Sequence, residues 1–301
     1  MFTHRIVFKR TFLFTLLLLI GSFSFAQGWD TVKIKLTKLT PTVYMMEGRG
    51  GNIGLCVGGD GAFIIDDQFA PLSDKIIKAI GTVTGKSVQF VINTHFHGDH
   101  AGGNTNFGNK GAVIVSHENA RKRLEADSFF KAQAVNNPNI SPAGLPKITF
   151  TQSMMFHYNS ETVRIFHIAD AHTDGDAIIW FKESNVLHMG DVFVRYGLPY
   201  IDMPGGGNIN GMIETINYVI KEIDDKTVII PGHGQLSNKQ DLIAYNTMLT
   251  TIRDRIKKLI DEGKSYDDII KARPISDIEK RESNANSFIK VVYDSQLKKY
   301  N

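Results

Sequence analysis

The sequence predicts an α/β chain in which two β-sheets pack on one another with helices outside. Three observations lead there. Strand-like and helical segments come in two rounds, and each round closes on a helix. Apolar runs such as Val88 to Asn93 (VQFVIN) read as buried strands. Gly and Pro fall between these runs.

In order, the first round opens with strands at Val32 to Leu39, Val43 to Met46, Asn52 to Val57 and Ala62 to Asp66. Pro71 to Ile80 has apolar residues at helical spacing, and the strand Val88 to Asn93 follows. Val113 to Ser116 is a strand and Glu118 to Ala126 a helix, while 127–148, with Pro138, Pro142 and Pro146, reads as irregular. The second round has strands at Thr162 to Ile168, Ala177 to Phe181 and Val186 to Met189, a helix over Asn208 to Ile223 and a strand over Thr227 to Ile230. The tail is helical. Leu242, Tyr245, Leu249, Ile252, Ile256 and Leu259 alternate spacings of three and four, which makes one apolar stripe for packing on a sheet.

Composition excludes several classes of protein. With 42% hydrophobic and 22% charged residues the chain is neither disordered nor fibrous. Arg5, Lys9 and Arg10 precede a short apolar run, Thr11 to Ile20, and Ser24-Phe25-Ala26 closes it with small residues. This is the layout of a secretory signal peptide over residues 1–26, cleaved before Gln27. A retained anchor needs about 20 apolar residues, more than the run supplies. The expected organisation is a leader, 1–26, and one domain, 27–301, in the periplasm or secreted. The leader holds three basic and no acidic residues, so its removal leaves 31 basic against 31 acidic. No positive excess remains for a nucleic-acid surface. The single cysteine, Cys56, lies in an apolar strand and reads as a small buried hydrophobe.

Chemistry is concentrated in Thr94-His95-Phe96-His97-Gly98-Asp99-His100, directly after the strand that ends at Asn93. Near-extended backbone should point His95 and His97 the same way, and Gly98 should let the chain turn so that Asp99 and His100 aim at a second point. Gly102 and Gly103 then read as an open loop. Further candidates stand at other strand ends: His172 in Ala169-Asp170-Ala171-His172-Thr173, Asp191 in Gly190-Asp191, and His233 in Pro231-Gly232-His233-Gly234. Imidazole and carboxylate donors without thiolate suit zinc, iron or manganese in an open site rather than a closed structural one.

The set HFHGDH, AHTDGD, HMGD and PGHG, with FIIDD at 63–67, resembles the metallo-β-lactamase superfamily over roughly residues 40–235. The resemblance implies a four-layer αββα sandwich. It also implies that His95, His97 and His172 hold one metal, that Asp99, His100 and His233 hold a second, and that Asp191 bridges them. Asp66 would be the structural acid near the metal loop. Two Zn2+ are expected, with iron or manganese as alternatives. The implied reaction is hydrolysis of an activated acyl bond in a small molecule (lactone, thioester, ester or β-lactam) by a metal-held hydroxide, with Asp99 orienting it.

The departures from the family pattern bear on substrate. Many resistance enzymes of this family carry cysteine or serine where this chain has Asp191; an aspartate resembles glyoxalase II and the lactonases. The tyrosine that lactonases often place three residues later is here Val194. Arg195 could hold a substrate carboxylate or be a solvated charge. Asn208, after Gly205-Gly206-Gly207, could support an oxyanion or simply cap a helix. Met45 to Gly51 reads as a flap or a hairpin, with Tyr196, Leu198, Tyr200, Ile201 and Met203 as a wall opposite. His188 reads as packed, or as supporting the site, and His117, His157 and His167 lie outside it. Competing expectations are a true β-lactamase, a mononuclear iron persulfide dioxygenase, a nuclease and a non-catalytic metal-binding module.

Overall fold

The computed structural model describes residues 27–126 and 142–297. The leader read at 1–26, and most of the irregular stretch read at 127–148, lie outside the described residues. Among the described residues, those from Ile34 onward form one compact unit.

The compact unit holds two sheets. The larger runs in the order β1 (Lys35–Lys38), β2 (Val43–Glu47), β3 (Ile53–Val57), β4 (Ala62–Ile65), β5 (Val88–Ile92), β6 (Val113–His117) and β7 (Ile148–Phe150). The smaller runs β12 (Val228–Ile230), β11 (Val186–His188), β10 (Ile178–Phe181), β9 (Glu161–Phe166) and β8 (Ser153–Tyr158). Strands β1 to β4 pair antiparallel, as short turns allow, whereas β4–β5, β5–β6, β6–β7 and β11–β12 are parallel. Parallel pairs need crossovers. The helices Ser73–Ile80, Glu118–Ala126 and Ile209–Glu222 supply three of them.

The inner faces of the sheets share one core, with Phe63, Ile65, Ile92 and Val115 from the first meeting Ile165, Ile179, Phe181 and Ile230 from the second. The outer face of the smaller sheet joins a second core with the helices Ile209–Glu222, Lys239–Asp261 and Glu282–Leu297. Each fully buried Val, Ile or Phe stabilises the fold by roughly 1.5–3 kcal/mol relative to exposure. The result is the αββα arrangement, two sheets between layers of helix.

Several elements differ from expectation. The first strand is shorter, Lys35–Lys38, because it lies at the sheet edge with little apolar surface to bury. Strand β8 escapes the pattern: SMMFHY alternates only between exposed and half-buried at the other sheet's edge. The expected open loop after His100 is instead two short helices, Gly98–Ala101 and Asn104–Asn109, joined by Gly102 and Gly103. The tail splits into Lys239–Asp261, Tyr266–Ala272 and Glu282–Leu297. The stripe from Leu242 to Ile256 packs in the core that the smaller sheet shares with neighbouring helices.

Candidate metal centre

Each candidate donor follows a strand. Asp66 comes after β4, His95 to His100 after β5, His172 after β9, Asp191 after β11 and His233 after β12. Parallel neighbours end side by side, so loops leaving their carboxyl ends meet in one place, where function gathers on a rigid frame.

The His-rich loop is shaped by buried polar contacts. Asp66, fully buried and at the unusual φ of 64°, accepts from the Thr94 backbone N–H at 2.7 Å and from the Thr94 hydroxyl at 2.7 Å. His97 stays extended as the residue before the Gly98–Ala101 helix, and that helix swings Asp99 and His100 away from His95 and His97. Gly98 has an ordinary φ and open space where a Cβ would stand, so the turn comes from helix initiation rather than from glycine. Two other glycines are required by close approach. A Cβ on Gly51 would stand 2.1 Å from the His100 ring, and one on Gly232 would stand 2.0 Å from Asp191 Oδ1.

The structure brings all seven candidates together. Donor atoms of His95, His97 and His172 lie within 4.8 Å of one another, as do those of His95, His100 and Asp191, and those of Asp99, His100 and His233. His172 Nε2 is 2.9 Å from His97 Nδ1. On the other side His233 Nε2 is 3.1 Å from Asp99 Oδ2 and 3.3 Å from His100 Nε2. Asp191 lies between, with Oδ2 3.8 Å from His172 Nε2 and Oδ1 3.2 Å from His100 Nε2.

Most of the rings are held from outside. His97 Nε2 meets Asp202 Oδ2 at 2.9 Å, His172 Nδ1 the Tyr200 carbonyl at 2.8 Å, His100 Nδ1 Asp66 Oδ2 at 2.7 Å, and His95 Nδ1 the Thr94 hydroxyl at 3.0 Å. Such contacts fix which nitrogen faces inward, as metal-binding histidines require. The inward Nε2 of His95 is buried and has no hydrogen-bond partner. A buried nitrogen without a partner is costly unless a cation or water completes it. The donor set fits a metal.

Electrostatics divides the cluster. Burial drives His95 well below its ordinary pKa, and lowers His172 to about 4, so both are neutral. Burial opposes the charge of His100, but Asp191 and Asp66 outweigh it and hold His100 well above the ordinary value. His233 is raised to about 9: burial works against this, and hydrogen bonds to Asp191 and Asp99 prevail. Burial likewise opposes ionisation of Asp191, yet the charge of His100 keeps it well below the usual carboxylate range. Asp99 is lowered too, its burial outweighed by the His233 hydrogen bond and the charge of His100.

Residues 46–233 match the family model of the metallo-beta-lactamase superfamily. The chain belongs to that superfamily. Its members that it most usefully resembles include the metallo-beta-lactamase type 2 of Elizabethkingia meningoseptica, 23% identical over 69% of this chain and 82% of that one. Another is the hydroxyacylglutathione hydrolase of Pelagibacter ubique, 27% identical over 58% of this chain and 64% of that one. Among solved structures, a metallo-beta-lactamase from Pontibacter korlensis matches with a TM-score of 0.59 at 17% identity, covering 72% of this chain and 99% of that one. As a superfamily member the protein is a metal-dependent hydrolase.

Other candidates take definite places. Asn208 caps the helix Ile209–Glu222, its Oδ1 accepting from the Asn210 backbone N–H at 2.8 Å. Arg195 Nη1 pairs with Asp241 Oδ1 at 3.2 Å, which engages the guanidinium proposed for a substrate carboxylate. Met45 and Met46 are buried within β2 rather than in a flap, so the segment is a hairpin whose turn lies against the His100 loop. Of the expected wall, Tyr196 and Tyr200 are exposed beside the donors, whereas Ile201 is buried in the core. Tyr196 lies 5.8 Å from the His233 ring, and Tyr200 6.0 Å from the rings of His97 and His172.

Sequence reasoning missed Asp202 and Asn52. Asp202 precedes a Pro-Gly-rich stretch that gives no hint of a histidine partner 105 residues away. Asn52 donates from Nδ2 to the Pro231 and Gly234 carbonyls, each at 2.8 Å, and so clamps the loop that carries His233. The buried His188 donates from Nε2 to the Asn52 carbonyl, 3.0 Å away, and accepts the Gly190 backbone N–H on Nδ1. That places it under the site, in support of the loops bearing Asp191 and His233. His117 and His167 stack on each other at 4.4 Å and take no part in the cluster.

Proposed function

We propose that this chain is a binuclear hydrolase, with zinc as its metal, that opens an activated acyl bond in a lactone, thioester, ester or β-lactam. His95, His97 and His172 hold one cation, Asp99, His100 and His233 the other, and Asp191 faces both. The observation that carries this is the partnerless, buried Nε2 of His95, set in a ring of donors most of whose imidazoles are already tied from outside. Imidazole and carboxylate donors without thiolate suit zinc in an open site, and accept iron or manganese.

When bound, two such cations supply Lewis acidity and bring the pKa of water down to about 7. The chain's own groups do the rest. Asp99 is the most solvent-accessible carboxylate of the cluster, 27% exposed against 9% for Asp191. It is ionised, and so it takes the proton of the attacking water and passes it towards the leaving group. Asp202, Asp66 and the Tyr200 carbonyl keep the imidazoles in register while charge develops. Aspartate at 191, together with the similarity to a hydroxyacylglutathione hydrolase, supports thioester or ester substrates.

A panel of lactones, thioesters, aryl esters, phosphodiesters and β-lactams, run on zinc- and iron-loaded protein with metal analysis, tests this. The expected result is about two metals per chain and turnover of at least one acyl class, lost in His97→Ala. A second reading, a β-lactamase proper, is favoured by the match to 82% of a metallo-beta-lactamase type 2, and nitrocefin turnover would establish it. One iron per chain with oxygen uptake would replace both by dioxygenase chemistry, and metal binding without turnover would leave a binding module. Export to the periplasm or beyond follows from the leader-like residues 1–26 and is read by fractionation. Among the described residues no helix is long and apolar enough to cross a membrane. The partner is a small acyl molecule rather than nucleic acid, in keeping with the balanced charge of residues 27–301.

A further inference from the structure

Beside the metal cluster lies a cavity of about 550 Å³ between the segment 196–201 and the C-terminal helix Glu282–Leu297. Its size is that of a small-molecule pocket. Tyr196 and Tyr200 belong to both places: their rings approach His233, His97 and His172 on one side and line the cavity on the other. They are 51% and 58% exposed, the most exposed aromatic rings near the donors, and an apolar ligand would cover them. Deeper in, Leu198, Ile201, Phe288 and Val291 make the wall apolar. Arg281 at the rim is engaged by Glu279, Nε to Oε1 at 3.2 Å and Nη2 to Oε2 at 3.0 Å. The cavity therefore offers hydrocarbon contact without an uncompensated cation.

We propose that this cavity takes the hydrocarbon segment, aliphatic or aromatic, attached to the reacting carbonyl of the substrate, so that the C-terminal helix helps set acyl specificity. The proposal rests on the acyl-hydrolase reading above. The Tyr200 main chain ties the two places together, since its carbonyl holds His172 while its ring walls the cavity. An acyl chain lying along Tyr196 and Tyr200 leads from the donors into the apolar wall. Each methylene buried there strengthens binding by about fourfold.

Two measurements on the metal-loaded protein test this. The first is kcat/KM for p-nitrophenyl octanoate over p-nitrophenyl acetate; the second is titration with N-phenyl-1-naphthylamine, an uncharged probe that brightens in apolar surroundings. Both are repeated in Val291→Trp, which fills the cavity from the helix, and in Ser287→Trp, which narrows it from an exposed rim position and disturbs no buried group. The wild type should favour octanoate by about tenfold or more and bind one equivalent of probe. In both variants the ratio should fall towards one and probe affinity should drop by at least about tenfold. An unchanged ratio with equal probe affinity in all three proteins overturns the proposal. If neither ester is turned over, the ester arm of the acyl reading fails, and the probe titration decides the cavity on its own.

Discussion

The two halves of the metal cluster are built from different chemistry. His95, His97 and His172 offer imidazoles only, and burial keeps His95 and His172 neutral, so a cation entering there has no proton to displace from those two rings. Asp99, His100 and His233 form an ion-paired group in which the metal-free protein holds protons on His100 and His233 against the charges of Asp99, Asp191 and Asp66. A cation entering there has to displace those protons. Donor sets of similar size thus differ in the cost of filling. The imidazole half should fill first and depend weakly on pH; the mixed half should fill second and depend on it strongly.

Asp191 reaches both halves, so replacing it should erase the contrast. Asp191→Ala is expected to lower kcat/KM by roughly 10³-fold or more, the equivalent of several kcal/mol of lost charge stabilisation. Metal content should fall below two per chain. A variant that kept two metals and the wild-type rate would remove Asp191 from the centre.

A smaller pair of changes should separate the halves. Of the cluster's rings Asp202 holds His97, while its other oxygen accepts the Gly205 backbone N–H, and Asp66 holds His100. Asp202→Asn should weaken the first-filled site and Asp66→Asn the second, each by about 10–100-fold, read by competition with a chromophoric chelator. If both variants weaken the same site, the two outer carboxylates do not serve separate halves. Asp66→Asn also loosens Thr94, so its thermal stability should be measured in parallel.

The contrast also has a sign in pH. His233 stays protonated in the folded metal-free protein up to about 9 but would release its proton near 6.5 when unfolded, so its contribution is present below 6.5 and is lost as pH rises through about 9. His172 behaves oppositely. It remains neutral when folded down to about 4, so stability is lost as pH falls from 6.5 towards 4. Metal-free protein should therefore be most stable near pH 6.5 and weaken on both sides, while the zinc-loaded form varies less above 6.5, because zinc replaces the proton on His233. Thermal melts from pH 4.5 to 9.5 check this; a metal-free curve that kept rising to pH 9 would contradict the role given to His233.

The donors were legible in the sequence because each stands at the end of an apolar run, in short motifs where histidine, aspartate and glycine are crowded. Convergence of Asp191 and His233 onto the His95–His100 loop follows from the parallel ends of β4, β5, β11 and β12, and that of His172 from β9, which runs the same way as β11 because both lie antiparallel to β10. What lay beyond the sequence was the machinery that depends on tertiary approach. Asp202 reaches His97 across 105 positions, and Asn52 clamps Gly234 across 182. Gly51 must lack a side chain only because His100, from another loop, comes against it. Strand β8 was hidden for a different reason: its burial alternates, but apolar Met155 stands on the exposed face, so the sequence itself does not.

The smallest expected effect concerns Asn208, whose Oδ1 caps the helix Ile209–Glu222. Its backbone N–H donates to the Ala171 carbonyl at 2.8 Å, and Gly207 packs against the carbonyl of His172. The cap therefore anchors a helix whose first turn abuts the imidazole half. Asn208→Ala should cost about 1 kcal/mol and lower Tm by about 2–4 °C, with kcat per folded molecule unchanged. An oxyanion role would use a different atom, Nδ2, and predicts a different result: kcat lower by roughly 10²-fold with Tm unmoved. Measured side by side, Tm and kcat separate a cap that steadies the first-filled site from a donor that acts on the substrate.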